Sequence, residues 1–241
     1  MAGYLRKVRS LTGFLGWLKY KLWRLKTILL TPFKAHIDTL YDENYFLDSY
    51  LRFEGRTHTF PSKFVQVLFK RFKPASVADI GCGVGTYLHY FQEKGCDILG
   101  VEGSRDAISL ALIPGEKIIE HDLRKPLALG RKFDLTIFSE VAEHLPNKST
   151  KVFLETVASS SDTIVFSSSY GAPKEYIYHC NEKPPAEWIR LYKGKGFELD
   201  RKTTSQLRKE LAGAGDALAE LVINHLMVFR RNRKTTSEPK P

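Results

Sequence analysis

The sequence predicts an α/β protein whose sheet is open, mostly parallel and covered by helices. Short apolar runs at 76–80, 97–101, 117–121 and 133–138 alternate with stretches of helical character, the order that joins parallel strands through crossovers. The first run empties into Gly81-Cys82-Gly83-Val84-Gly85-Thr86, and a helical stretch over 87–94 follows. Strand, glycine turn and helix in that order aim backbone N–H groups and a helix N-terminus at a ligand. The next three runs end beside acids, at Glu102, Asp122 and Glu140, where an open parallel sheet places its crevice.

Around this unit each element has its own local reason. Upstream, Ser62 reads as the N-cap of a helix that ends near Pro74. The run 97–101 closes on Glu102, nineteen residues after Gly83, the distance at which an acid accepts hydrogen bonds from both hydroxyls of a ribose. After 117–121 come Asp122, suited to an adenine amino group, and Leu123, suited to the ring face. The run 133–138 leads straight into Ser139-Glu140-Val141-Ala142-Glu143-His144-Leu145. Downstream, Pro184-Pro185 opens a helix carrying Trp188 and Tyr192.

Composition narrows the class. With 241 residues, 43% hydrophobic and 27% charged, the chain can bury a core in one large domain with an appendage, or in two small ones. Ordinary apolar content and unenriched glycine and proline exclude collagen-like, coiled-coil and wholly disordered chains. Cys82, Cys96 and Cys180 form no CxxC pair and leave an odd one over, which argues for a reducing compartment over a disulfide framework. The net charge of +10 sits at the ends: eight cations and no acid in 1–37, and a surplus of four in 230–241. The remainder, 38–229, is −2, so no basic channel for nucleic acid runs across the fold.

The domain expectation follows: a basic amphipathic arm over 1–36, a catalytic-size domain over 37–231 and a disordered basic tail over 232–241. In the arm, Leu11, Phe14, Leu15, Leu18, Leu22, Leu25 and Leu29 recur at three- and four-residue steps, a stripe roughly 100° wide on a helix. Lys19, Lys21, Arg24 and Lys26 exclude a spanning helix and spoil an export signal. Three readings remain: peripheral membrane contact through residues 11–30, a helix that packs its stripe on the domain, or a surface for a partner or nucleic acid. A cytoplasmic location, with the arm available to a membrane surface, is the expectation.

Glycine spacing separates the candidate cofactors. A dinucleotide fingerprint is GxGxxG; here the third glycine comes one position early, with Asp79 two residues before the first. A carboxylate beside the turn repels a pyrophosphate and suits a cationic amino group, which S-adenosylmethionine carries along with a sulfonium and no phosphate. The bland alternative is a turn that only needs positive φ at glycine.

Taken together, Val77-Ala78-Asp79-Ile80-Gly81-Cys82-Gly83-Val84-Gly85, Gly100-Val101-Glu102, Asp122-Leu123 and Phe133-Asp134 through Leu145 resemble a class I S-adenosylmethionine-dependent methyltransferase. The resemblance spans about 60–231 and implies a three-layer, doubly wound, mostly parallel seven-stranded sheet of Rossmann-like type, closed by an antiparallel strand at Leu226-Met227-Val228-Phe229-Arg230. It implies Asp79, Gly81, Cys82, Gly83 and Gly85 around the methionine moiety, Glu102 on the ribose and Asp122 and Leu123 at the adenine. Ser139 and Glu140 would line the floor beneath the methyl group. Tyr41-Asp42-Glu43-Asn44-Tyr45-Phe46 resembles an element that folds over the cofactor. His179-Cys180-Asn181-Glu182-Lys183-Pro184-Pro185-Ala186-Glu187-Trp188 is similar to a segment of members that methylate oxygen on small molecules or glycans.

A hydroxyl acceptor needs a base, and His144 and His179 are the candidates. The ExxEH spacing, if helical, sets Glu140 and His144 one turn apart with Glu143 beside them, and His179 can complete a site for a divalent metal. Small-RNA 2′-O-methyltransferases and ubiquinone-pathway O-methyltransferases look similar in this respect; the plain alternative is a capping role for Glu143 and His144. His121 and His225 read as packed histidines in strand-like runs. Tyr170, Tyr176, Tyr178, Trp188 and Tyr192 are equally core or an acceptor platform. The expected activity is O-methylation of a small-molecule, glycan or lipid-linked acceptor. An RNA methyltransferase using the basic ends is the alternative, ahead of a non-catalytic module and a nicotinamide oxidoreductase.

Overall fold

The structure is a computed structural model that describes residues 59–171, 179–214 and 217–232. The arm over 11–30, the 41–46 element, Tyr176, Tyr178 and the tail after Asn232 lie outside the described residues. Among the described residues no helix is long and apolar enough to cross a membrane.

Helix α1 spans Phe60–Phe72. It begins at Phe60, with Thr59 at the cap position, and Ser62 lies inside its first turn; Pro61 fits that turn because its missing N–H has no helical partner to lose. Lys73 ends the helix at φ 45°, its N–H on the Phe69 carbonyl, and Pro74 forbids continuation. Strand β1 (Ser76–Ile80), α2 (Thr86–Glu93), β2 (Asp97–Glu102), α3 (Arg105–Ser109) and β3 (Ile118–Glu120) follow. Then come β4 (Leu135–Ser139), α4 (Thr150–Ser160), β5 (Thr163–Ser167), α5 (Pro185–Gly194), β6 (Phe197–Leu199), α6 (Arg201–Leu211), α7 (Ala217–His225) and β7 (Met227–Arg231). The expected alternation and the glycine-turn unit are therefore present. His225 departs from expectation: it ends a helix, with Nδ1 at 2.9 Å from the Leu221 carbonyl.

The strands form one seven-stranded sheet in the order β3-β2-β1-β4-β5-β7-β6. Pairs from β3 to β5 are parallel, and β7 inserts antiparallel between β5 and β6. Connections leave β1 toward one edge and β4 toward the other, so the crevice opens above the carboxyl ends of β1 and β4. Asp134 fixes the opposite end: its Oδ2 accepts from the amides of Ala75 (2.9 Å) and Ser76 (2.8 Å), clamping the starts of β1 and β4.

Period-two alternation divides the core between two helical layers. Leu135 and Ile137 of β4 face α1, α2, α6 and α7, with Phe64, Leu68, Leu88, Phe91, Leu207 and Val222. Phe138 on the other face joins Ile164, Phe166 and Phe229 against Phe153 and Val157 of α4 and Trp188 and Tyr192 of α5. Both faces are covered, which is why the strands read as unbroken apolar runs. Trp188 and Tyr192 are thus core residues, 1% and 0% exposed, and among the described tyrosines weighed for the platform only Tyr170 is exposed.

Phe166 is the hub of the second layer, with ring centroids of Trp188 at 5.1 Å, Tyr192 at 5.3 Å, Phe138 at 6.0 Å and Phe229 at 6.1 Å. Removing a buried ring loses its transfer free energy and leaves a cavity. Phe166→Ala is expected to lower stability by about 3–5 kcal/mol in urea unfolding; a loss under 1 kcal/mol would contradict this packing.

Candidate active site

The crevice begins with a turn that only glycines can make. Gly81, Gly83 and Gly85 stand at φ 80°, 55° and 78°, in the left-handed region where a side chain is strained. The amides of Gly81 and Cys82 both donate to the Val101 carbonyl, at 2.7 and 3.1 Å, folding the turn back over β2. A Cβ on Gly81 would lie 2.6 Å from a Val141 methyl, and one on Gly100 would lie 2.7 Å from Cys82 Sγ. Gly85 then starts α2, its carbonyl accepting from His89.

Two buried carboxylates flank this turn. Glu102 Oε2 accepts from the Gly83 amide at 2.8 Å, and Oε1 from Gly103 at 2.8 Å and Ser104 at 2.7 Å. A carboxylate has about four acceptor positions, so about one remains for a ligand hydroxyl. Glu102, read from the sequence as the acid for a ribose diol, thus stands at the glycine turn with three backbone amides on it. Burial pushes Glu102 above the ordinary carboxyl value, opposed by these amides. Asp79, 3% exposed, is raised to about 8, first by burial and then by the Glu102 charge. The Cys82 thiol goes well up by burial, then by Asp79 and Glu102.

Two residues beyond β3, Asp122 is anchored by its own neighbour, with Oδ1 accepting from the Arg124 amide and guanidinium. Leu123 is buried in the cluster with Ile80 and Val101.

The floor is built from the tips of β4 and β5. Ser139 and Ser167, paired across the strands, share a 2.7 Å hydroxyl contact. Glu140 sits at φ 53° with its amide on the Ser167 carbonyl at 3.0 Å, and Ser169 Oγ donates to its Oε2. Residues 140–144 are not an α-helix: only Ala142–His144 coil, as one 3-10 turn. The helical spacing argued for Glu140 and His144 is corrected accordingly, because Glu140 is the left-handed bend residue just after β4. Glu143 is wholly buried and accepts from the Ser169 amide at 3.1 Å. Burial, then the charge and hydrogen bond of Glu140, push it well above the ordinary value. Among the described residues, its Oε2 and Glu140 Oε1 are the two carboxylate oxygens buried without a hydrogen-bond partner.

A distant segment completes the site. The amides of Cys180 and Asn181 both donate to the Glu143 carbonyl, at 2.8 and 3.0 Å, and Asn181 Nδ2 donates to the Ala142 carbonyl. This pins His179 against His144, ring centroids 4.9 Å apart and 74° inclined. Glu182 Oε1 lies 2.7 Å from His179 Nδ1; a carboxylate only accepts, so Nδ1 carries a proton, which in a neutral ring makes Nε2 the acceptor. Ligand atoms of Glu143, His144 and His179 lie within 4.8 Å of one another, a spacing that can hold one divalent ion.

Sequence reasoning missed Tyr87, Ser169, Glu182 and Asn181. The buried Tyr87 phenol is hydrogen-bonded to Ser139 and is raised by burial, Asp79 and Glu140, while its ring lies 4.8 Å from that of Phe64. Its signal was its place in the first turn after the glycines. Ser169 ends the polar run that follows an apolar strand, and Glu182 stands three residues from a chosen histidine.

These residues fit the S-adenosylmethionine that the resemblance implies. A cradle lacking Cβ atoms admits close backbone contact, and buried carboxylates at the turn suit an ammonium while opposing a pyrophosphate.

A family model described as a methyltransferase domain matches residues 53–202. No curated protein matches the sequence. Solved structures of similar fold include Streptomyces venezuelae DesVI, with TM-score 0.55 and 16% identity, covering 76% of this chain and 96% of that one. A TehB-like SAM-dependent methyltransferase from Corynebacterium glutamicum has TM-score 0.52 and 16% identity, covering 70% and 88%. Human N-acetylserotonin methyltransferase in complex with SAM has TM-score 0.55 and 15% identity, covering 83% of this chain and 59% of that one. At these identities the likeness is one of fold.

Asp79 near pKa 8 is mostly protonated at neutral pH, facing Glu102, Cys82 and Tyr87. An ammonium bound there favours the carboxylate, so the proton must leave. Calorimetry in buffers of differing ionisation enthalpy should show S-adenosylhomocysteine releasing close to one proton, with affinity rising roughly tenfold between pH 6 and 7. Proton-neutral binding would contradict it.

Proposed function

The chain belongs to the methyltransferase-domain family, and from that membership we propose that it moves a methyl group from S-adenosylmethionine to a hydroxyl of a small-molecule, glycan or lipid-linked acceptor. The observation that carries the hydroxyl assignment is His179, whose Nδ1 is held by Glu182 at 2.7 Å beside His144. In the neutral ring that tautomer puts the lone pair on Nε2, the nitrogen that takes the acceptor proton as its oxygen attacks.

Bound S-adenosylmethionine supplies an electrophilic methyl on a sulfonium. The chain's part is to hold and orient. The backbone of Gly81, Cys82, Gly83 and Gly85 receives the amino-acid tail, with Asp79 beside its ammonium. Glu102 accepts a ribose hydroxyl at its remaining position, while Asp122 and Leu123 bracket the adenine. Ser139 and Glu140, with the Tyr87 phenol, form the floor that excludes water beneath the reacting carbon. In-line alignment of this kind can supply roughly 7–11 kcal/mol of barrier lowering.

A second reading of the same pocket rests on the convergence of Glu143, His144 and His179. Together they would hold a divalent cation that acidifies the acceptor hydroxyl in place of a histidine base. Mn²⁺ spin resonance separates the two: binding lost in His144→Ala favours the metal, and an unchanged free-ion signal favours the base.

Glu102→Ala is expected to abolish S-adenosylhomocysteine binding, and unchanged affinity would remove the cofactor assignment. His179→Ala is expected to keep that binding but to lower methyl transfer by about 10²–10⁴-fold. Cell extract supplied with labelled cofactor, followed by mass spectrometry, identifies the product. Label on an oxygen of a small molecule or glycan is expected; label in the RNA fraction would overturn the acceptor class in favour of the basic-ends alternative.

A further inference from the structure

Glu182 meets the histidine with one oxygen, and its other oxygen has a different partner. Oε1 lies 2.7 Å from His179 Nδ1, while Oε2 accepts from the Gly171 amide at 2.9 Å. Gly171 and His179 bracket residues 172–178 in the sequence, so a single carboxylate links the exit of β5 to the base.

The residues on either side aim it there. Asn181 and Lys183, 3% and 7% exposed, both reach the start of α4. Asn181 Nδ2 donates to Thr150 Oγ1 at 3.2 Å, and Lys183 Nζ to Asn147 Oδ1 at 2.7 Å. Alternate residues of an extended chain share a side, and the proline after Lys183 disfavours helix at that point. Glu182, between two inward anchors, turns the other way. A second tie joins the same two stretches of chain: Glu143 takes the Ser169 amide on its carboxylate and the Cys180 and Asn181 amides on its carbonyl. The His179 side chain is held between these ties, 8% exposed.

Both partners of Glu182 are donors. The Gly171 N–H can only donate, and facing a carboxylate, Nδ1 must donate as well. A carboxylate accepts from both at once; an amide of the same length offers one oxygen and one NH₂ group. Gly171 cannot change its role, whereas a neutral imidazole can move its proton to the other nitrogen. Glu182→Gln would therefore turn its oxygen to Gly171 and its NH₂ to Nδ1, sending the ring proton to Nε2.

We propose that Glu182 is the positioning residue of the methyl-transfer base, one oxygen selecting the His179 tautomer and the other fixing the ring's place against the exit of β5. The inference deepens, and rests on, the hydroxyl-directed function proposed above. In the transfer the acceptor oxygen bonds the methyl carbon as the carbon–sulfur bond breaks, and the hydroxyl proton passes to Nε2. The Glu182 carboxylate then faces the imidazolium that results, with Nδ1–H still on it. The second oxygen makes the role specific to a carboxylate, since the backbone donor has already claimed the one acceptor that an amide would bring.

The test is ¹⁵N NMR of the full chain labelled at histidine, with His179 assigned by its missing signal in His179→Ala. At alkaline pH the wild-type ring should carry its proton on Nδ1, and in Glu182→Gln the proton should move to Nε2. That variant should keep its S-adenosylhomocysteine affinity and unfolding midpoint, while methyl transfer from labelled cofactor in cell extract falls by about 10²–10⁴-fold. Glu182→Ala loses both contacts; a merely structural tie would lower transfer there and spare Glu182→Gln. A wild-type His179 protonated on Nε2 overturns the inference, and this spectrum decides even if neither variant folds. Wild-type transfer by Glu182→Gln overturns it too. Where His179→Ala also keeps full transfer, the histidine-base function itself fails; where His179→Ala is inactive and Glu182→Gln is not, that function stands and the role of Glu182 alone falls.

Discussion

Glu102 reaches across from the tip of β2 to the amide of Gly83, and the rest of the crevice takes its shape from that span. The carboxylate is the link between a strand end and a turn that has no side chains of its own to hold it. For the contact to form, the turn must lie flat on β2, which puts the Gly81 and Cys82 amides on the Val101 carbonyl and tucks Cys82 Sγ over Gly100. Each approach is too close for a Cβ. The glycines are therefore set by three neighbouring strand tips, Val141 after β4 included, and not by the turn alone. The same flatness leaves Asp79 beneath the turn in a site where its charge is poorly solvated, so the site favours a cation beside it.

Most of this was legible in the sequence because it is local. Apolar runs, glycine spacing and the acid at the end of the second strand each follow from a few adjacent residues, and the sheet order places their carboxyl ends together. Glu102 was read as a ribose ligand, yet its three amide partners were not: which backbone groups a carboxylate satisfies depends on how tightly a turn closes. Ser62 as a helix cap failed because the helix already begins at Phe60, with Pro61 fitting its first turn. His225 looked like part of an apolar strand run, but the run 217–225 buries one helical face, Ala219, Val222 and Ile223, and the strand starts only at Met227.

The histidine site shows where local reasoning stops. ExxEH on a helix would display Glu140, Glu143 and His144 on one face, and that geometry does not occur. Glu140 adopts φ 53°, a strained angle for a side-chain-bearing residue, because its amide must still meet the Ser167 carbonyl of the neighbouring strand. The chain then turns once and brings Glu143 inward. Burial, with the neighbouring Glu140 charge, pushes its carboxyl well above the ordinary value there. His179 comes from beyond β5, held by two amides on one carbonyl, a long-range contact that no spacing rule contains.

The carboxyl groups of the crevice gather over the tips of β1, β2 and β4: Asp79, Glu102, Glu140 and Glu143. His144 and His179 come instead from the turn after β4 and the segment beyond β5. A ligand with a cationic end is drawn to the carboxyls beside the glycine turn. For in-line transfer the two reactants must enter in one relative orientation, and this placement of charge imposes it on the cationic partner. With the end segments carrying the net charge and the middle near balance, such selection depends on where the charges sit within the crevice and not on how many the chain holds.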